Sequence, residues 1–173
     1  MLLSPSDPLQ SPAYRVGGVV LFAATAVILL ALAFEHLGGY DPCPLCLQQR
    51  YAYYAAIPAS FLALVLVAAQ RNGLAAAVFL AVALAFLANA ALGTYHAGVE
   101  WKYWAGPDGC AATPRALSTS TGNLLKELET TRVARCDEAP WTFLGLSFAG
   151  WNVVISLLLA VGAASAAVKA VRD

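Results

Sequence analysis

Apolar residues in this chain run in long unbroken blocks, not at the spacing of an amphipathic helix or a half-buried strand. Val16 to Phe34 carries no charge, and about 20 apolar residues are enough for a helix to cross the hydrocarbon core. Three further blocks follow, which predicts spans over about 16–37, 45–69, 74–95 and 143–168. A secretory signal has a shorter apolar core of about 7–15 residues and a small-residue cleavage site. The first block instead passes into Glu35-His36-Leu37-Gly38-Gly39 and is read as a retained span. The expected fold is an all-α membrane protein. It is an antiparallel four-transmembrane-helix bundle forming one integral domain over 1–173.

The polar intervals organise the bundle. A short loop at 38–44 holds the glycines and prolines that end one helix and start the next, with Pro44 suited to a helical first turn. Pro58 predicts a kink in the second span, and Asn89 and Asn152 predict hydrogen bonds between helices. The tail 1–13 and the turn Gln70 to Gly73 lie at one end of the bundle, and the long loop at 96–142 lies at the other. An even number of crossings places loops 38–44 and 96–142 on the same side. Cys43, Cys46, Cys110 and Cys136 therefore share one face of the membrane. Within the long loop, Asn123 to Glu129 predicts a short amphipathic helix capped by Asn123, with Leu124, Leu125 and Leu128 against the bilayer. All four tryptophans and most tyrosines gather near that face. An aromatic belt normally serves both interfaces, so the one-sided enrichment points to a groove for something flat and apolar.

Composition removes some functions. Of 173 residues, 60% are apolar and 12% charged, about half the charge of an ordinary soluble domain. Net charge is zero and no basic patch interleaves with aromatics, which argues against nucleic acid as a partner. Lys and Arg are too evenly divided between the two sides to orient the chain. The cysteines do orient it. Paired thiols persist as disulfides on the oxidising side, so the thiol loops face away from the cytoplasm and both termini lie within it.

The chemistry centres on Cys43-Pro44-Leu45-Cys46. A C-x-x-C pair closes a disulfide ring or binds a soft metal. At a helix N-terminus, free amides and the macrodipole favour the thiolate. Arg50 lies one turn beyond Cys46, where a cation would steady a thiolate or bond a docked carbonyl. A disulfide between Cys110 and Cys136 would be either a structural staple, contributing about 3–4 kcal/mol in the chain-entropy model, or an exposed and exchangeable bond. Structural zinc sites combine two close cysteine pairs. Only one is present, so no metal is expected, and Leu47 excludes covalent haem. His36 and His96 read as interfacial histidines, and His96 is also placed to donate to a carbonyl oxygen.

The run Cys43 to Arg50 (Cys-Pro-Leu-Cys-Leu-Gln-Gln-Arg) at the head of a second span resembles the signature of the bacterial disulfide bond formation protein B (DsbB) family. Tyr95-His96, Cys110, Cys136 and Trp141-Thr142-Phe143-Leu144-Gly145-Leu146 follow that family's order, and the resemblance covers about residues 16–168. It implies an inner-membrane, quinone-dependent thiol oxidase with periplasmic cysteine loops. Such an enzyme reoxidises a thioredoxin-like dithiol oxidase (DsbA-type) and passes electrons to ubiquinone or menaquinone. It further implies redox disulfides Cys43–Cys46 and Cys110–Cys136. Cys110 would form the mixed disulfide with the partner, Cys136 would attack Cys43, and Cys46 would engage the quinone beside Arg50 and His96. The residues by themselves also admit a vitamin K epoxide reductase-like redox protein, or a disulfide-stapled or zinc-bearing membrane protein without catalysis.

Overall fold

The computed structural model describes residues 10–107 and 135–172. The helices are α1 (Pro12–His36), α2 (Pro44–Ala68), α3 (Asn72–Glu100) and α4 (Phe148–Arg172), with two short strands, β1 (Thr142–Phe143) and β2 (Leu146–Ser147), before α4. All four helices are long and apolar enough to cross a membrane, which makes this a multi-pass membrane protein. Cys110 and the helix expected over Asn123 to Glu129 lie outside the described residues.

Local chemistry sets the helix ends. The Ser11 hydroxyl accepts from the Tyr14 amide at 3.3 Å and Pro12 opens α1. Cys43 plays the same part for α2, its sulfur accepting from the Cys46 amide at 3.2 Å with Pro44 next in line. A thiol thus occupies the position that Ser or Asp usually fills. The helix then continues through Pro58.

The start of α1 at Pro12 and the end of α4 at Arg172 each lie four residues beyond the sequence reading, and two boundaries at the thiol end also differ. Helix α3 continues past Tyr95 to Glu100, because its last polar residues find partners inside the fold. His96 bonds to Gln49, and Glu100 accepts from Ser147. Helix α4 starts at Phe148, because the residues before it form a hairpin pairing Thr142 with Ser147 and Phe143 with Leu146. Its turn residues, Leu144 and Gly145, have φ of 52° and 80°. That is the left-handed pair a two-residue hairpin turn requires.

The helices pack in a ring, α1 against α2 and α4, and α3 against α2 and α4, with α3–α4 the most extensive interface. Alanines and the buried rings of Phe79 and Phe86 fill the interior. Phe22, Leu29, Phe61, Leu80 and Leu158 point outward. Lipid is as apolar as these side chains, so close packing and interhelical hydrogen bonds carry the association. Gly93 permits a close approach of α3 to α4. A Cβ there would stand 2.9 Å from Val153 Cγ2 and 3.2 Å from Asn152 Nδ2. Beside it, Asn89 donates to Asn152 Oδ1 at 3.3 Å and to Ser156 Oγ at 3.0 Å. The antiparallel course brings the end of α1, the start of α2, the end of α3 and the start of α4 together at the thiol end.

Candidate functional site

The dithiol at the start of α2 is the centre of that end. Cys43 and Cys46 are free thiols whose sulfurs lie 2.8 Å apart. The hydrogen bond from the Cys46 thiol pulls the Cys43 pKa down from 9.0 to about 5, with further help from His96 and the Cys46 amide, while burial opposes the shift. The shift favours a thiolate at Cys43 when the pair is reduced.

His96, buried on α3, directs Nε2 at the Cys43 sulfur, 3.6 Å away. The same nitrogen stands 3.9 Å from Glu100 Oε1. Its other nitrogen, Nδ1, lies 2.8 Å from Gln49 Nε2. Ser147 donates to Glu100 and also accepts from the Gly150 amide at 3.2 Å, capping α4.

Cys136 approaches Cys43 from the long loop. It is 1% exposed and disulfide-bonded. Its sulfur, the Cys43 sulfur and a ring nitrogen of His96 all lie within 4.8 Å of one another. The residue after it anchors the approach. Lys102, just past α3, donates to the Asp137 carbonyl and carboxylate, both at 2.7 Å. Arg135 first and Lys102 second hold the Asp137 carboxyl below the usual carboxylate range. Two sulfurs and an imidazole in this array resemble a soft-metal donor set, but a metal requires thiolates. The Cys136 sulfur is committed to a disulfide, so the array is better suited to thiol–disulfide exchange.

On the other side of the dithiol lies a cavity of about 380 Å³, lined by Cys46, Gln49, Arg50, Glu35, Tyr40, Asp41, Trp141, Phe148 and Trp151. Its wall is aromatic. The rings of Trp141 and Phe148 stack with centroids 4.9 Å apart, and Phe34 meets Phe148 edge-on at 5.1 Å. Arg50 faces this space, but its guanidinium donates to the Glu35 carboxylate at the end of α1. A cation in a mostly apolar cavity thus has its counter-ion on the neighbouring helix.

The structure brings Cys43, Cys46, Cys136 and His96 together and places Arg50 on the cavity side. Sequence reasoning missed Glu35, Gln49 and Glu100. Glu35 and Glu100 look like ordinary charges at span ends, although the i,i+4 spacing of His96 and Glu100 is a usable signal. Gln49 was quoted only as part of a motif, though an amide at a bundle-facing position requires a partner.

A family model described as disulfide bond formation protein DsbB matches residues 14–166. Proteins named disulfide bond formation protein B are similar over most of their length. The one from Methylococcus capsulatus is 33% identical, covering 84% of this chain and 86% of its own. The Acinetobacter baumannii protein is 31% identical with the same two coverages. That from Marinobacter nauticus is 30% identical, again over 84% and 86%. No solved structure gives a significant match.

Proposed function

The chain belongs to the disulfide bond formation protein DsbB family, whose members are disulfide-forming membrane oxidoreductases, and from that premise we propose that it reoxidises a periplasmic thioredoxin-like dithiol oxidase (DsbA-type) and delivers the electrons to a membrane quinone. One observation carries the reading. The Cys43–Cys46 pair has disulfide-bonded Cys136 within 4.8 Å of Cys43 on one side and an aromatic cavity against Cys46 on the other. The protein would sit in the bacterial inner membrane, with its cysteine loops periplasmic and both termini cytoplasmic. That is the side on which disulfides persist.

The exchange steps balance. A partner thiolate attacks Cys110 of a Cys110–Cys136 disulfide, and Cys136 leaves as a thiolate. With the inner pair oxidised, Cys136 attacks Cys43, the Cys43–Cys46 bond breaks, and Cys46 takes the electron pair as a thiolate facing the cavity. The partner's second thiol displaces Cys110 and leaves the partner oxidised. Cys110 then attacks Cys136, restoring the outer disulfide and releasing Cys43. The inner dithiol gives up two electrons as its disulfide re-forms.

A quinone held by the aromatic wall and Arg50, ubiquinone or menaquinone, would supply the two-electron, two-proton acceptor that the inner dithiol needs. The residues present fit such a group. The aromatic wall suits a flat ring, and Arg50 is a donor suited to a carbonyl oxygen. Cys46 supplies the electron pair at the cavity wall, while Trp141 and Phe148 keep water away.

Purified protein with added quinone should oxidise a reduced thioredoxin-like dithiol and produce quinol in equal amount. Cys46→Ser should abolish quinol formation while still forming a mixed disulfide with a partner that lacks its second thiol. Unchanged turnover in Cys46→Ser would sink the mechanism.

A further inference from the structure

A chain of amides, Gln49 and Asn89 buried and Asn152 half-buried, ends on the His96 ring, and its direction is set by the atoms it joins. Asn152 on α4 accepts through Oδ1 from the Tyr53 hydroxyl at 2.9 Å and from Asn89 Nδ2 at 3.3 Å. Its Nδ2 is thereby left to donate to Gln49 Oε1 at 2.7 Å. Gln49 Oε1 is thus occupied as an acceptor, and the amide nitrogen of Gln49 faces His96 Nδ1 at 2.8 Å. An amide nitrogen only donates, so Nδ1 must accept, and the proton of a neutral imidazole then resides on Nε2.

The opposite side of the ring supports the same assignment independently. Nε2 faces two acceptors, the Cys43 sulfur at 3.6 Å and Glu100 Oε1 at 3.9 Å. A bare lone pair on Nε2 would oppose both, whereas an N–H satisfies them. Gln49 and Asn89 are 6% and 3% exposed, so water does not readily replace these partners. Buried amides left unpaired are costly, and here each serves to orient the next.

We propose that Gln49, held in place by Asn152, is a positioning residue that fixes His96 as the Nε2–H tautomer and so aims an N–H at the Cys43 sulfur. This rests on the reading of Cys43 as a redox thiol, and it deepens that reading. When Cys110 attacks Cys136 of an interloop Cys43–Cys136 disulfide, Cys43 must leave with the electron pair. The His96 N–H is the donor that receives the developing thiolate, and no proton needs to move. Among the described residues, the other titratable groups around that sulfur are Cys46 on α2 and Glu100 on α3, with the disulfide-bonded Cys136 beside them in the loop. Among these groups and His96, the Gln49 amide hydrogen-bonds only to the imidazole, so its effect on Cys43 should pass through the ring.

The test uses the full chain in detergent micelles with His36→Gln. The protein has two histidines, so this change leaves His96 as the only imidazole. Nitrogen-15 NMR should show a pyridine-like Nδ1 and a pyrrole-like Nε2. Gln49→Met should move both signals toward tautomer-averaged values. In a Cys46→Ser, Cys110→Ser, Cys136→Ser background, alkylation of Cys43 below its midpoint pH should slow about tenfold on Gln49→Met, the effect of losing one hydrogen bond to a thiolate. A proton on Nδ1 in the parent overturns the proposal, and that spectrum decides even if Gln49→Met fails to fold. An unchanged tautomer together with unchanged alkylation in Gln49→Met also overturns it. Both measurements omit quinone and dithiol partner, so they succeed or fail separately from the oxidase activity.

Discussion

The distance between Cys43 and Cys136 can be turned into a ratio of products. Serine at positions 46 and 110 leaves these two as the only thiols. Confinement of one sulfur within 4.8 Å of the other corresponds to a shared sphere of about 460 Å³, or an effective concentration of about 4 M. Against glutathione at about 1 mM, this favours the Cys43–Cys136 disulfide over a glutathione adduct by about 4,000 to one, if the intrinsic exchange constants are equal. Closing the bond requires the two Cβ atoms to come within about 3.5–4.5 Å, so some strain is expected. Strain of about 2.8 kcal/mol would lower the ratio about a hundredfold, and the crosslink would still lead by about 40 to one. The assay is equilibration in glutathione buffer, alkylation of residual thiols and mass measurement of the tryptic peptides. A crosslinked peptide in nearly all molecules is expected. Glutathione on both cysteines, with little crosslink, would show that Cys136 does not dwell beside Cys43. The proposed transfer between the two cysteine pairs would then lose its geometric basis.

Two further outcomes follow from the charges at the thiol end. The Arg50 and Glu35 side chains are 13% and 22% exposed, so Arg50→Met should lower stability by about 1–3 kcal/mol by stranding the carboxylate, and Glu35→Gln in the same chain should recover part of it. A double-mutant cycle by denaturant unfolding measures the coupling, and zero coupling would show that the pair is incidental. Alkylation of Cys43 in the reduced protein should have its midpoint near pH 5, well below its ordinary 9.0. Because the folded value is depressed, the stabilisation is complete above the ordinary thiol range and is lost as pH falls toward about 5. Stability of the reduced form should therefore fall across that window, and Cys43→Ser should flatten the dependence. An alkylation midpoint near 9 would refute the assignment of Cys43 as the thiolate.

The parts legible in the sequence and the parts that were not follow from one physical distinction. Crossing lipid demands a long apolar run, so α1 to α4 are written locally and can be read locally. The dithiol is equally local, because Cys43 caps the helix whose first turn contains Cys46. The hairpin before α4 has strands of only two residues each, too short to show a period. Its one signal is the Leu144-Gly145 turn. The end of α3 was missed because polar His96 and Glu100 look like the start of a loop, and the Gln49 and Ser147 partners that keep them in the fold come from distant segments. Arg50 was legible as a cation in need of company. Glu35 was not legible as its partner, because the pair joins separate helices across the loop.

A pattern does connect the polar residues of the spans. Gln49, Arg50, Asn89, His96, Glu100 and Asn152 interrupt otherwise apolar helices, and every one is tied to another polar side chain. A polar group in a span is costly unless it is paired, so such residues need partners even where sequence cannot say which. Here five of them lie on one connected path from Asn89 through Asn152, Gln49 and His96 to the neighbourhood of Glu100, and the path passes the Cys43 sulfur. Arg50 and Glu35 stand apart from that path, facing the cavity beside Cys46. The polar residues thus divide into the path, which passes Cys43 and reaches the cavity wall at Gln49 and Asn152, and the Arg50–Glu35 pair beside Cys46. That division matches a pair whose first member exchanges with a protein disulfide and whose second faces an apolar acceptor site.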